Sequence, residues 1–197
     1  MKAVRFNTVR TPSGNKILWI VVGLLAIVLI WGISTYNGFV KAEEKMTQAW
    51  SQVENVYQRR MDLIPNLVDV VKSYSDYESG TLVEVVEVRA QQAASVKINP
   101  ENITEEQLLA FEQSQQLLGD AVSDVIVSVE NYPDLKAVEL YQTFLAQYAG
   151  SENRIYVERG RYNEMVQAYN KSVRSFPAKI IAGWFGFEVH SYVQMTE

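Results

Sequence analysis

The most apolar part of the chain lies near its start. Residues 17–33 read ILWIVVGLLAIVLIWGI and contain no charged side chain. A helix rises about 1.5 Å per residue, so about 20 such residues cross the ~30 Å hydrocarbon core of a bilayer. Trp19 and Trp31 lie near the two ends of this stretch, where indole rings favour the headgroup region, and Lys16 precedes it. The pattern predicts a transmembrane helix over residues 17–36, with these three side chains at the membrane interfaces.

Two other interpretations of this stretch compete with a membrane anchor. A cleaved signal peptide has an apolar region of roughly 7–15 residues and small residues before the cut. The stretch is longer than that, and Gly32-Ile33-Ser34 matches a cleavage site poorly. A buried core helix is the second alternative, but the length of the stretch and the basic residues before it argue against burial. We therefore favour an uncleaved anchor.

Beyond the span, apolar residues recur at three- and four-residue intervals, which is the spacing of amphipathic helices. The first stripe runs from Met46 to Tyr74 and continues directly from the span, so we expect one long helix with a kink at Pro65. A shorter stripe over residues 82–93 predicts a second helix. No alternating run of β-branched residues bounded by turn signals occurs in residues 39–176, which argues against a sheet.

Two further helices follow along the chain. Thr104 and Gln107 have the spacing of a capping box, which opens a third helix. After residues 131–133, Asp134 is placed to cap a fourth helix that ends before Pro177, and the apolar stripe of this helix is the most regular in the chain. Four amphipathic helices joined by short loops most simply form an antiparallel bundle.

The predicted fold class is therefore all-α, with a single N-terminal transmembrane helix that continues into an elongated antiparallel four-helix bundle. Residues 1–16 form a basic cytoplasmic N-terminus, and residues 17–36 form the transmembrane helix. Residues 37–177 form the bundle. Residues 178–197 form an apolar, aromatic tail that packs on the bundle or on a partner.

Several polar residues interrupt the apolar stripes at positions where the helical pattern predicts burial. They are Arg60, Glu152, Arg159, Asn163 and Asn170. Because unpaired buried charges are costly, we expect a hydrogen-bonded network in which Arg60 pairs with Glu152. A ligand or metal site inside the bundle is the alternative, and polar contacts that set the register of the helices are the interpretation that we favour.

The tail contains the segment AGWFGFE and a cluster of large apolar side chains. They include Ile181, Trp184, Phe185 and Phe187. Such a cluster is too large to leave in water as one patch. Packing over the end of the bundle is the simplest interpretation, and docking on a neighbouring subunit or on the membrane surface remains open.

The formal net charge of −5 is divided unevenly along the chain. Residues 1–40 hold four basic and no acidic side chains, whereas residues 41–197 hold 14 basic and 23 acidic ones. The positive-inside rule then keeps the N-terminus in the cytoplasm and places the bundle on the other side of the membrane. An acidic body also argues against binding to nucleic acid, which requires a basic surface.

The sequence offers little for catalysis. The chain has no cysteine, and its single histidine, His190, lies in the tail without a neighbouring carboxylate and nucleophile at catalytic spacing. No HExxH or GxxxxGK[ST] motif occurs. We therefore predict no catalytic, cofactor-binding or metal-binding residues, and no enzymatic activity.

Six blocks of the sequence resemble the LemA family in content and order. They are RRMDLIPNLVDVVKSY (residues 59–74), NYPDLKA (131–137), SENRI (151–155), YNEMVQAYN (162–170), SFP (175–177) and AGWFGFE (182–188). The resemblance implies a single-pass protein of the bacterial inner membrane with a helical-bundle domain and no established activity. It also implies similarity to proteins that build magnetosome membranes. Other members of the family are encoded near membrane metalloproteases or AAA+ ATPases.

Two functions are compatible with these observations. The first is a scaffold or membrane organiser that contacts the lipid bilayer and forms a homo-oligomer. The second is an adaptor or regulatory subunit of a membrane protease or AAA+ ATPase. We favour the scaffold, because anchoring a rod at one end orients its copies alike and raises their effective concentration.

Overall fold

The computed structural model describes residues 14–74, 80–95 and 103–195, and the regular elements within these ranges are all α-helices. They are α1 (Gly14–Lys72), α2 (Gly80–Ser95), α3 (Glu105–Val129), α4 (Pro133–Lys136), α5 (Glu139–Arg174) and α6 (Ala178–Phe185). The all-α prediction is therefore confirmed. Most of the predicted basic N-terminus lies outside the described residues.

The first helix, α1, contains both the predicted span and one of the four helices of the bundle. It has 59 residues, which corresponds to a length of about 90 Å at ~1.5 Å per residue. The apolar side chains of residues 17–31 are exposed, whereas from Phe39 onward one face of the helix is buried. Within the described part of the chain, α1 is the one helix long and apolar enough to cross a membrane.

Helix α1 continues through Pro65 to its end at Lys72. Proline has no N–H group, so the carbonyl oxygen of Met61, four residues earlier, lacks its usual helical donor. Arg89 of α2 takes the place of that donor, because its Nε donates to Met61 O at 3.3 Å. A side chain from the neighbouring helix thus replaces the missing backbone hydrogen bond, and the predicted kink does not interrupt the helix.

The four long helices alternate in direction. Trp50 and Arg60 of α1 contact Tyr162 and Glu152 of α5, respectively, so α5 runs antiparallel to α1. Helix α3 runs parallel to α1, because Phe111 near its start packs on Trp50 while its last turns pack at the far end of the bundle. Helix α2 leads back from that far end and packs on α1 and α3. The result is an antiparallel four-helix bundle.

The interior of the bundle contains two hydrophobic clusters. The cluster nearer the span is rich in aromatic rings, with Trp50 packed edge-on against Phe111 and Tyr162 at centroid distances of 5.5 and 5.2 Å. The far cluster is mainly aliphatic and surrounds Ile64 of α1. Burial of each such side chain contributes on the order of 1.5–3 kcal/mol. The two clusters therefore stabilise the bundle, and the polar side chain of Arg60 lies between them.

One predicted helix start is confirmed and another is wrong. Thr104 Oγ1 accepts the Gln107 N–H, and Gln107 Oε1 accepts the Thr104 N–H, both at 3.2 Å, which is the predicted capping box. Asp134 does not cap a fourth long helix. It lies in the one-turn helix α4 and accepts a hydrogen bond from Tyr74 Oη at 3.2 Å. The extended backbone at Val138 separates α4 from α5.

The predicted apolar tail contains the short helix α6 and then an extended segment. Gly186 has a φ of +77°, a left-handed conformation that other residues rarely adopt, and the chain turns there. The Phe187 N–H donates to Ala182 O at 3.0 Å and closes the turn. Residues 187–195, which we call the C-terminal strap, then run along α5 away from the span.

Candidate functional site

Arg60 is the centre of a polar layer across the bundle. Its side chain is almost fully buried. Nη1 donates to Glu152 Oε1 at 2.8 Å, and Nη2 donates to the backbone oxygen and to Oε1 of Gln115 at 2.9 and 2.7 Å. The Tyr57 ring lies 5.2 Å from Arg60 Cζ, within range of a cation–π contact. The structure thus places Arg60 beside Glu152, the partner that the sequence predicts, and adds Gln115.

Arg159 belongs to a second polar contact. Its Nη2 lies 3.6 Å from Glu112 Oε1 of α3, and both side chains are largely buried. The same Glu112 oxygen accepts the backbone N–H of Gln194, in the C-terminal strap, at 2.7 Å. Burial raises the pKa of Glu112, although the Gln194 N–H and the Arg159 charge both act to lower this pKa. Glu112 therefore links α3, α5 and the strap.

Asn163 and Asn170 bind the backbone of the C-terminal strap. Asn163 Nδ2 donates to Val193 O at 2.8 Å, and its Oδ1 accepts the Val193 N–H at 2.9 Å. Asn170 makes the same pair of hydrogen bonds with His190, at 2.8 and 2.9 Å. Each carboxamide thus binds one backbone residue through both its donor and its acceptor.

The spacing of the two asparagines matches the extended strap. Seven residues along α5 correspond to about 10.5 Å. Three residues of extended chain, from His190 to Val193, correspond to about 10 Å. Both carboxamides can therefore bind the strap at once. The structure places the five predicted polar residues in three groups of contacts, around Arg60, around Arg159 and along the strap.

A cleft of about 760 Å³ opens between α3 and α5, beside the polar layer. Tyr57 and Arg60 of α1 contribute to its lining, Glu112 lies on the α3 side, and Tyr148 and Arg159 lie on the α5 side. Gln194 of the strap also borders it. Burial raises the pKa of Tyr148 to about 12, so this phenol remains a neutral hydrogen-bonding group at physiological pH.

Three buried N–H groups that belong to the cleft residues lack an acceptor in the described part of the chain. They are Arg60 Nε, Gln115 Nε2 and Arg159 Nε. These N–H groups are enclosed by the protein, so the donors that a ligand in the cleft can reach are exposed ones of the lining, such as those of Gln113 and Gln116. The described residues contain no cluster of His, Cys, Asp or Glu suited to a metal ion. The lining of the cleft carries hydrogen-bonding side chains, including those of Gln113, Gln116 and Tyr148.

The four residues of the predicted apolar patch do not share one environment. Ile181 is buried against α1, and Phe187 packs on Phe39 with a centroid distance of 5.2 Å. Trp184 and Phe185 are exposed, although the edge of the Phe185 ring contacts Tyr36 at 4.9 Å. One side of α6 therefore covers the end of the bundle, and the other side faces outward.

The three residues predicted to lie at the membrane interfaces all belong to α1. Trp19 and Trp31 are exposed on the helix surface near the two ends of the apolar stretch, and Lys16 is exposed just before it. The lipid contacts of these three side chains stay a prediction.

His190 is half-buried, its ring lies 5.0 Å from that of Tyr169, and burial lowers its pKa although Glu188 acts to raise it.

Sequence reasoning missed Gln115, Glu112 and the strap as parts of these polar contacts. The role of Gln115 could have been predicted from the sequence, because this polar residue occupies a buried position in the apolar stripe of α3, between Phe111 and Leu118. Glu112 has no such signal. Its role depends on the position of a backbone N–H in the strap, which no side-chain pattern encodes.

These features define a membrane-associated helical-bundle protein with one candidate span among the described residues and with polar contacts suited to holding helices together. The family model described as "LemA family" matches residues 49–197. The chain belongs to the LemA family.

Individual relatives agree with this assignment. The chain is 26% identical over 190 residues to Magnetosome protein MamQ 2 of Paramagnetospirillum magneticum, covering 88% of this chain and 68% of the relative. It is 24% identical over 201 residues to Magnetosome protein MamQ of Magnetospirillum gryphiswaldense, covering 93% and 74%. It is 23% identical over 175 residues to Protein LemA of Metamycoplasma hominis, covering 87% and 75%. Neither the family description nor these names state a reaction.

Proposed function

We propose that the protein is a membrane-anchored scaffold that self-associates and organises the membrane around it. The observation that carries the proposal is the continuity of α1, which is one helix from the span through the bundle. Because the span and the bundle share this helix, the bundle has a fixed direction relative to a bilayer. Anchored copies then meet in one orientation, and their confinement to a surface raises their effective concentration.

The proposal includes a topology. Four basic residues and no acidic ones precede residue 41, and charges of both signs follow within the next few residues. This asymmetry favours a cytoplasmic N-terminus. The span then lies in the bacterial inner membrane, and the bundle lies on its periplasmic or extracellular side.

We assign self-association to the face of the bundle that carries the cleft. Exposed polar side chains, among them Gln113 and Gln116 of α3, line the cleft and can form hydrogen bonds with a second copy. Leu109 and Tyr156 line the same cleft and are exposed, so apolar surface would also be buried by docking. Two of the relatives are named as magnetosome proteins, which supports a role in organising membrane.

Disulfide trapping of the full chain in its membrane tests the assigned face. The chain has no cysteine, so a single introduced cysteine forms a disulfide only between two copies. Gln116→Cys places a thiol in the lining of the cleft. Val86→Cys is the matched control, because it lies exposed on α2, which packs on α1 and α3. We expect covalent dimers from Gln116→Cys and none from Val86→Cys.

Light scattering on the detergent-extracted full chain provides the second measurement, and we expect an oligomer of defined size. A uniform monomer together with no disulfide at Gln116→Cys contradicts the scaffold and favours an adaptor or regulatory subunit of a membrane protease or AAA+ ATPase. A disulfide from Val86→Cys alone contradicts the assigned face.

A further inference from the structure

Helix α6 lies against α1 at the end of the apolar span. Ile181 Cδ1 packs over Gly32, where an added Cβ would lie 3.8 Å from it. The Tyr36 ring contacts both Phe185 and Phe187, at centroid distances of 4.9 and 5.5 Å. These contacts place α6 beside the last turn of the apolar stretch and the turn that follows it.

The outward side of α6 is strongly apolar. Phe176, just before the helix, is 85% exposed, and Ile180 and Trp184, four and eight residues later, are 47% and 78% exposed. Ile180 and Trp184 are four residues apart within α6 and therefore share one face of the helix, whereas Phe176 is exposed in the turn before it. The opposite face carries Ile181 and Ala182, which are buried against the bundle. Helix α6 is therefore apolar on both faces, and only one of them is covered.

The exposed face is continuous with the surface of the span. Val28 and Leu29 of α1 are also exposed, and they lie four and three residues before Gly32, on the side of the helix that contacts α6. A bilayer that surrounds the span up to residue 33 thus reaches the level of α6. Without a bilayer, the large apolar side chains of Ile180, Trp184 and Phe185 on this short helix would all be exposed to water.

The basic side chains within and directly before α6 suit the headgroup region. Lys179 is the only charged side chain within the helix, and it is exposed. Lys171 and Arg174 lie in the last turn of α5, directly before it. Cationic side chains beside inserted aromatic rings are the composition of helices that lie in the interface of membranes, where anionic headgroups attract them.

We propose that α6 is an interfacial membrane helix, and that Ile180 and Trp184 insert into the leaflet next to the bundle. The occupant of this face is lipid rather than a second copy of the chain. The inference rests on the membrane anchoring in the proposed function and is independent of self-association. It gives the bundle two points of attachment to the bilayer, the span and α6.

Site-specific labelling of the full chain tests the proposal. Trp184→Cys carries an environment-sensitive fluorophore on the outward face, and Asp124→Cys on α3 carries it on an exposed site in the far half of the bundle. Leu25→Cys reports on the span. Each variant is placed in nanodiscs of zwitterionic and anionic phospholipid with one copy per disc, and is probed with quencher-bearing lipids and with aqueous iodide.

We expect lipid quenching at Trp184→Cys to exceed that at Asp124→Cys severalfold, and iodide quenching to be severalfold weaker. Quenching by lipid at Leu25→Cys but not at Trp184→Cys overturns the role of α6 while leaving the anchor intact. Absence of lipid quenching at both positions overturns the anchor itself. The Trp184→Cys variant is also measured in discs that hold several copies; shielding of its label there but not in single-copy discs identifies a second copy as the occupant and overturns the proposal.

Discussion

Two kinds of polar side chain interrupt the apolar stripes, and they bind different parts of the structure. Arg60 joins three helices through ionic and neutral hydrogen bonds within the bundle. Asn163 and Asn170 instead bind the backbone of the C-terminal strap. At position 60, another polar side chain would not reproduce the hydrogen-bond geometry of the arginine. A carboxamide at the other two positions is needed for both its donor and its acceptor.

Replacement of Arg60 by alanine should destabilise the bundle by about 2–4 kcal/mol, because it leaves Gln115 without its donor and removes the partner of Glu152. The value lies below that of a fully buried ion pair, since the Glu152 side chain is 42% exposed and water can solvate it. Chemical unfolding of the detergent-solubilised chain measures the loss. Arg161→Ala is the control, because Arg161 pairs with Glu158 at the surface and its loss should cost less than about 0.5 kcal/mol. Equal losses in both variants would contradict a structural role for the Arg60 layer.

Asn163→Asp should release the C-terminal strap. The substitution keeps the acceptor for the Val193 N–H. It also replaces Asn163 Nδ2, which donates to Val193 O, by a carboxylate oxygen that repels this carbonyl oxygen. We expect the free energy that holds the strap on α5 to fall by about 1.4–2.8 kcal/mol, which corresponds to a ten- to hundredfold faster exchange of the Val193 amide hydrogen. Hydrogen exchange followed by mass spectrometry measures this rate.

Asn153→Asp makes the same chemical change at an exposed position of α5 and should leave the exchange rate of the strap unchanged. Unchanged protection in Asn163→Asp would show that the strap is held by other contacts.

The Arg60–Glu152 pair could be predicted, since both residues lie in apolar stripes at matching heights of antiparallel helices. The strap contacts could not, because they depend on the turn at Gly186.

At the scale of elements, the long helices follow from periodicity and the short ones do not. Three-to-four spacing identifies the four bundle helices, and the capping box fixes the start of α3. Helix α6 has only eight residues and is apolar on most sides, so no periodic contrast marks it. The separation of α4 from α5 at Val138 contains neither glycine nor proline, and its sequence therefore gives no signal for a break.

The contact between α1 and α2 at Pro65 leads to a double-mutant prediction. Arg89→Ala should cost about 1 kcal/mol, because the Met61 carbonyl then has no donor. In the Pro65→Ala background the helix itself supplies an N–H to Met61 O, and the same Arg89→Ala change should cost much less. A coupling of about 0.5–1 kcal/mol between the two positions, measured by chemical unfolding, would support this exchange of donors. Strict additivity would contradict it.

At the scale of the whole molecule, the direction of the chain across the membrane is open to a direct test. Asn153→Cys places one thiol on an exposed site of the bundle in a chain that has no other cysteine. If the bundle faces away from the cytoplasm, a membrane-impermeant maleimide should label this thiol in intact cells as fully as in permeabilised ones. Labelling only after permeabilisation of the inner membrane would reverse the topology.

The unbroken course of α1 also fixes a rotational phase between the lipid and the bundle. Each residue of a helix turns by about 100° relative to the one before it, so every lipid-facing side chain of the span has a defined azimuth relative to the cleft between α3 and α5. A partner that binds one side of the span therefore has one fixed orientation relative to the cleft. An insertion of one residue at Gly38 would turn the bundle by about 100° around the axis of α1 and carry α6 away from Gly32, so the number of residues between the span and Phe39 sets the direction in which the protein faces its neighbours.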